Sequence, residues 1–97
     1  MTAYVLADID VQDHERYEEY RRQVAATVAA FGGRYLVRGG SVELLEGTWQ
    51  PQRLVVLEFP TRERARAWWS SEAYTPLRAL RHETAQRAII LVEGASA

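Results

Sequence analysis

The sequence predicts an α+β fold in the order βαββαβ, with a four-stranded antiparallel sheet and both helices on one face. Three observations carry this. Four short apolar runs have the length of strands. Two longer stretches repeat apolar residues every three or four positions, as amphipathic helices do. Glycine, proline and capping residues fall between them, where elements must stop and start.

Tyr4 to Ile9 is the first strand. Asp13 stands at an N-cap position, where its carboxylate can accept from free amides of the next turn. Tyr17, Tyr20, Val24, Val28 and Phe31 then line one helical face, and Gly32-Gly33 ends the helix. Tyr35-Leu36-Val37 begins the second strand. Gly39-Gly40 interrupts it as a bulge or bend, and Val42 to Leu45 is expected to resume it. Gly47 to Gln52 is a turn, and Leu54 to Phe59 is the third and most hydrophobic strand. Thr61 caps a second helix carrying Ala65, Trp68 and Trp69. Ser70-Ser71 loosens that helix, and Thr75-Pro76 restarts it, with Leu77 and Leu80 facing inward. Ala88 to Val92 is the last strand and Gly94 to Ala97 a tail. Two right-handed crossovers on one sheet give the ferredoxin-like arrangement, strand order 4-1-3-2.

At 97 residues the chain makes one domain, spanning residues 1–97. Net charge is −1 and every Lys/Arg position is arginine, with no basic run, so nucleic acid is not an expected partner. The chain has no cysteine, which removes disulfides and thiolate chemistry and suits the cytoplasm. Asp8 and Asp10 break the first apolar run, so neither a signal peptide nor a membrane span is expected. No cofactor or metal site is expected: His14 and His82 have no convergent ligands. Ser70 and Ser71 lack a nucleophile context, and the glycine pairs form no phosphate loop.

Strand alternation divides the sheet into two faces. Val5, Ala7, Ile9, Val55, Leu57, Phe59, Ala88, Ile90 and Val92 form a wholly apolar set, assigned here to the helix-covered face. The other set is Tyr4, Leu6, Asp8, Leu54, Val56, Glu58, Ile89, Leu91 and Glu93. It is apolar in its middle, which is unusual for a face open to water. A second copy laid sheet against sheet would cover it, so a homodimer is expected.

These residues also resemble a known family. Tyr17-x-x-Tyr20, Gly32 to Gly40, Leu45-Glu46-Gly47, Arg53 to Pro60, Ala67 to Ser71 with Tyr74, and Val92-Glu93-Gly94 together resemble the small bacterial family called domain of unknown function 1330. That family is similar to the dimeric α+β barrel group. The resemblance covers nearly the whole chain and implies the fold and the dimer. It implies no reaction. More distant relatives of the fold include cofactor-free monooxygenases, lactone isomerases and heme proteins, an analogy of fold only.

Chemistry-bearing candidates follow from the sheet. Arg87 should lie near Asp8, and Glu58 near Arg34 and Arg38. One reading is a set of structural salt bridges at the barrel ends. The other is an anion site, with Arg38 as a planar fork for a carboxylate and Glu58 as a candidate catalytic base, the two close together. Tyr17, Tyr20, Trp69 and Tyr74 either pack the core or line a ligand pocket between helices and sheet. Trp68 and Trp69 cannot both face inward, so one lies at the surface or an interface. Three functional classes stay open. They are a cofactor-independent enzyme on a small carboxylated or aromatic metabolite, a non-catalytic ligand-binding dimer, and a structural or accessory dimer without a small ligand.

Overall fold

A computed structural model describes residues 1–95, so Ser96 and Ala97 of the expected tail lie outside the described residues. The chain runs β1 (Ala3–Val11), α1 (His14–Ala30), β2 (Arg34–Arg38), β3 (Arg53–Phe59), α2 (Arg62–Trp69), α3 (Thr75–Thr84) and β4 (Ala85–Glu93). The sheet order is β2-β3-β1-β4 and every neighbouring pair is antiparallel, as the sequence predicts.

Local signals work as expected at the helix starts. The Asp13 carboxylate accepts from the Arg16 amide at 3.2 Å, and the Thr61 hydroxyl accepts from the Arg64 amide at 3.1 Å. At the end of α1, Gly32 adopts φ +79° and Gly33 donates back to the Val28 carbonyl at 3.0 Å. α3 passes into β4 without a loop. The Thr84 carbonyl there accepts from the amides of Gln12 and Asp13, tying this junction to the end of β1.

The core lies between the helices and one sheet face. Val5, Ala7 and Ile9 of β1 and Val55, Leu57 and Phe59 of β3 point into it. Tyr17, Tyr20, Val24 and Val28 of α1, with Trp68, Tyr74 and Leu77, close it from above. Trp68 is the buried tryptophan, and Trp69 is half-buried beside it.

Three expectations need correction. First, β4 presents its other side. Val5 pairs with Leu91 and Ala7 with Ile89, so Ile89 and Leu91 join the core while Ala88, Ile90 and Val92 share the open face with Leu6. Ile90 and Val92 are 56% and 44% exposed. Secondly, Val42 to Leu45 forms no strand; residues 39–52 are a loop. That loop folds back so that the Trp49 indole donates to Asp8 Oδ2 at 2.9 Å on the open face. Thirdly, the bulge in β2 falls at Leu36, between Tyr35 and Val37, rather than at the glycine pair. One extra residue turns the next side chain to the opposite face. Tyr35 and Arg38 therefore lie with Leu57 and Val55 on the helix side, while Arg34 lies with Glu58 on the open side.

Gly33 sits where the helix end meets the core. A Cβ there would come within 2.6 Å of Phe59 Cε1 and 2.8 Å of Val28 Cγ1. Gly33→Ala should cost about 1–3 kcal/mol by overpacking. Urea denaturation measures this, with no change expected in the slope.

Candidate functional site

The helix-covered face leaves a small cavity, about 30 Å³, enough for roughly two waters. Its floor is Val5, Ala7 and Ile9 with Val55, Leu57 and Ile89. Tyr17, Tyr20 and Val24 of α1, and Trp68 and Tyr74 beyond them, form its roof. Each aromatic is held by its element: Tyr17 and Tyr20 by helical spacing, and Tyr74 by the Ser71 hydroxyl, which accepts its amide at 3.2 Å.

The polar lining has one sign. Arg21, Arg38, Arg53 and Arg81 all reach the cavity, and no aspartate or glutamate lines it. Arg21 is already engaged with Glu18 at 3.1 Å. Arg38 donates to the Arg21 carbonyl at 2.9 Å, and its guanidinium lies 4.4 Å from the Tyr35 ring centre. Arg53 sits 5.9 Å from the Tyr17 ring centre, and Arg81 is 9% exposed. The Nε atoms of Arg53 and Arg81 are buried without a hydrogen-bond partner among the described residues. None of Arg38, Arg53 and Arg81 makes an ion pair there, although most other arginines that reach the sheet do. Of the three only Arg81 is buried; Arg53 is half-buried and Arg38 exposed. A buried cation without a counter-charge is costly, and at Arg81 an incoming anion would remove that cost.

The Tyr20 and Tyr74 hydroxyls share a hydrogen bond of 3.0 Å at the centre of the roof. Burial, reinforced by Tyr74, pushes the Tyr20 pKa well above its usual value. Burial also raises Tyr35, partly offset by the Arg38 charge. These two phenols are therefore neutral donors at ordinary pH. The arrangement can bind and polarise an anion. It places no carboxylate or imidazole in the cavity to take a proton.

The candidates read from the sequence separate into three places. Tyr17, Tyr74 and Arg38 come together at the cavity. Trp69 lies outside it, in the wall of two neighbouring recesses, with its ring 5.8 Å from Tyr74. Glu58 is on the open face, where Arg34 Nε donates to it at 2.8 Å. The expected pairing of Glu58 with Arg38 is thus corrected: the Leu36 bulge puts them on opposite faces. The expected pair of Arg87 and Asp8 forms, at 3.5 Å. Arg53 and Arg81 were missed. Both carry a readable signal, since Arg53 alternates with Val55 and Leu57, and Arg81 stands seven residues after Tyr74 on the Leu77 face. Among the described residues no group of three or more His, Asp or Glu could hold a metal ion, and no helix is long and apolar enough to cross a membrane.

The tyrosine pair makes a pH prediction. With its folded pKa raised, Tyr20 keeps its proton longer in the folded state. Its contribution is complete below the ordinary tyrosine value of about 10 and is lost as pH rises above it. Tyr20→Phe leaves the buried Tyr74 hydroxyl unpaired and should cost about 1–3 kcal/mol at neutral pH. It should also lose less stability than the wild type between neutral and strongly alkaline pH. Urea melts across that range, with tyrosinate absorbance as a check, measure both effects.

Comparisons with known proteins agree with this architecture. A protein of unknown function from Rhodopseudomonas palustris superposes with a TM-score of 0.75 at 14% identity, covering 99% of this chain and 84% of its own. A cofactor-independent oxygenase, SnoaB from Streptomyces nogalater, gives 0.60 at 13% identity, covering 99% and 94%. An antibiotic biosynthesis monooxygenase gives 0.58 at 15% identity, covering 99% and 100%. At these identities the likeness is one of fold, and it places the chain among ferredoxin-like α+β barrel structures. No curated protein sequence matches the chain. The sequence profile of one family does match, over residues 2–95, and the chain belongs to that family, the domain of unknown function DUF1330.

Proposed function

We propose that this protein binds a small organic anion, a carboxylated and preferably aromatic molecule, between its helices and its sheet, and that it does so as a homodimer. The observation that carries the ligand reading is the acid-free lining of the cavity, with three guanidiniums that no carboxylate satisfies. Guanidinium forks match carboxylate geometry, and the surrounding tyrosine and tryptophan faces suit a flat apolar body. The enclosed space is small, so a ligand must displace lining side chains. A recess of about 280 Å³, lined by His14, Glu18 and Gln52 among others, shares Ile9, Tyr17, Arg21 and Arg53 with it. This supports a binding role or a cofactor-independent reaction over a purely structural one. Glu58 has no part in it, being held by Arg34 on the far side of the sheet.

The dimer reading rests on the open face. Leu6, Leu54, Val56, Ile90 and Val92 lie together there, with Val37 at one edge. Contiguous apolar area of this kind is removed from water by a second copy.

Benzoate titrated by calorimetry should show saturable binding, and Arg53→Ala should weaken it about tenfold or more, the worth of a charged hydrogen bond. Absence of saturation, or an Arg53→Ala variant that binds equally, would refute the ligand reading. Light scattering should give twice the 11.1 kDa chain mass. Val56→Arg should yield a folded monomer, because it puts an unpaired charge into the contact. A wild type that runs as a monomer at micromolar concentration would end the dimer reading.

A further inference from the structure

The end of β2 brings two residues of the cavity wall into position. The bulge at Leu36 turns Arg38 to the helix side, and the chain leaves the sheet at the next residue, Gly39. Gly39 has φ +74°, and its amide donates to the Leu54 carbonyl at 2.9 Å. That bond holds the Gly39 backbone beside the start of β3, where Arg53 precedes Leu54. The Arg53 guanidinium fills the space that a side chain at Gly39 would need. A Cβ there would fall 2.8 Å from Cζ and 3.4 Å from Nη2 of Arg53, and closer still to Nη1. Gly40, one residue on, has nothing within 4 Å of the same position.

Little else holds Arg53. Among the described residues its guanidinium has no carboxylate partner, and its Nε is buried without a hydrogen bond. The centre of the Tyr17 ring is 5.9 Å away. A long, unpaired side chain keeps one arrangement only where its surroundings exclude the others. Gly39 contributes in two ways. It takes a left-handed backbone conformation that strains most other residues, and its missing Cβ leaves the room that the guanidinium occupies. The two contributions have different signatures. Backbone strain is present with or without a ligand, so it lowers stability and leaves the affinity of the folded protein alone. A displaced guanidinium lowers affinity.

Resting on the anion site proposed above, we propose that Gly39 is a positioning residue for that site. It acts through Arg53, whose guanidinium it admits to the cavity wall by leaving one atom's volume empty. Any side chain at this position moves the guanidinium away from where an anion would meet it.

The test is benzoate calorimetry on the full chain. Gly39→Ala should weaken binding about tenfold or more, to the level of Arg53→Ala. Added to Arg53→Ala, the same substitution should change affinity less than about twofold, because no guanidinium remains to displace. Gly40→Ala, which adds a methyl group to open space, should bind as the wild type does. Should Gly39→Ala fail to fold, Gly39→Asn takes its place, since asparagine enters the left-handed region more readily and carries the same Cβ. A Gly39 variant that binds as tightly as the wild type would overturn the positioning role and leave the anion site in place. So would an equal further loss in the Arg53→Ala background, or a matching loss in Gly40→Ala, since either marks a general disturbance of the loop. A wild type that does not saturate, or an Arg53→Ala variant that binds equally, would remove the anion site and the role of Gly39 together.

Discussion

Trp68 donates from its indole nitrogen to the Thr27 hydroxyl at 3.0 Å while its ring packs 5.5 Å from Phe59 and 4.1 Å from Tyr74, centre to centre. Four elements meet at this side chain: α1 through Thr27, β3 through Phe59, α2 through its own backbone, and the start of α3 through Tyr74. A large ring with a single donor suits such a position, because it fills volume and its polar handle finds a partner. Tyr74, fixed by Trp68, in turn fixes the Tyr20 hydroxyl. The aromatic roof of the cavity is therefore part of the packed core. The adaptable groups are the arginines around it, whose long side chains approach from β2, β3 and α3.

The arginines divide into those that pair with an acid and those that do not. On the open face Glu58 pairs with Arg34 and Asp8 with Arg87, while Glu93, opposite Ala3, pairs with Arg62 of α2 on the helix side. At the cavity Arg21 has Glu18, but Arg38, Arg53 and Arg81 have no such partner among the described residues. A chain with net charge −1 thus keeps a positive interior pocket, and the pocket's character is set by arrangement rather than by overall composition. The bulge at Leu36 does part of this sorting. Without the extra residue, Arg38 would fall on the same face as Arg34 and Glu58, and the cavity would lose one of its guanidiniums.

Much of this was legible in the sequence. Asp13, Thr61 and the Gly32-Gly33 stop mark the helix ends because capping chemistry is local, and the inward sets of β1 and β3 follow from alternation. β4 was assigned to the wrong face because Ala88 to Val92 is apolar on both sides, so alternation had nothing to choose between. Only its pairing with β1 decides the matter. Val42 to Leu45 has strand-like residues but no neighbouring strand to pair with, and its backbone remains in a loop. The separation of Arg38 from Glu58 depended on a single bulge, for which the glycine pair was a misleading sign. Arg81 was hidden by expectation: an arginine at core spacing is read as an outward residue until tertiary packing shows what encloses it.

The polar groups of the cavity are guanidiniums and phenols, with no lysine, carboxylate or imidazole among them. A guanidinium stays charged throughout the range in which proteins are folded, and burial holds the phenols of Tyr20 and Tyr35 protonated past their ordinary range. The pocket consequently has the same charge in a mildly acidic compartment as in a mildly alkaline one. For the anion proposed above, the cavity lining therefore contributes no change of charge over that interval.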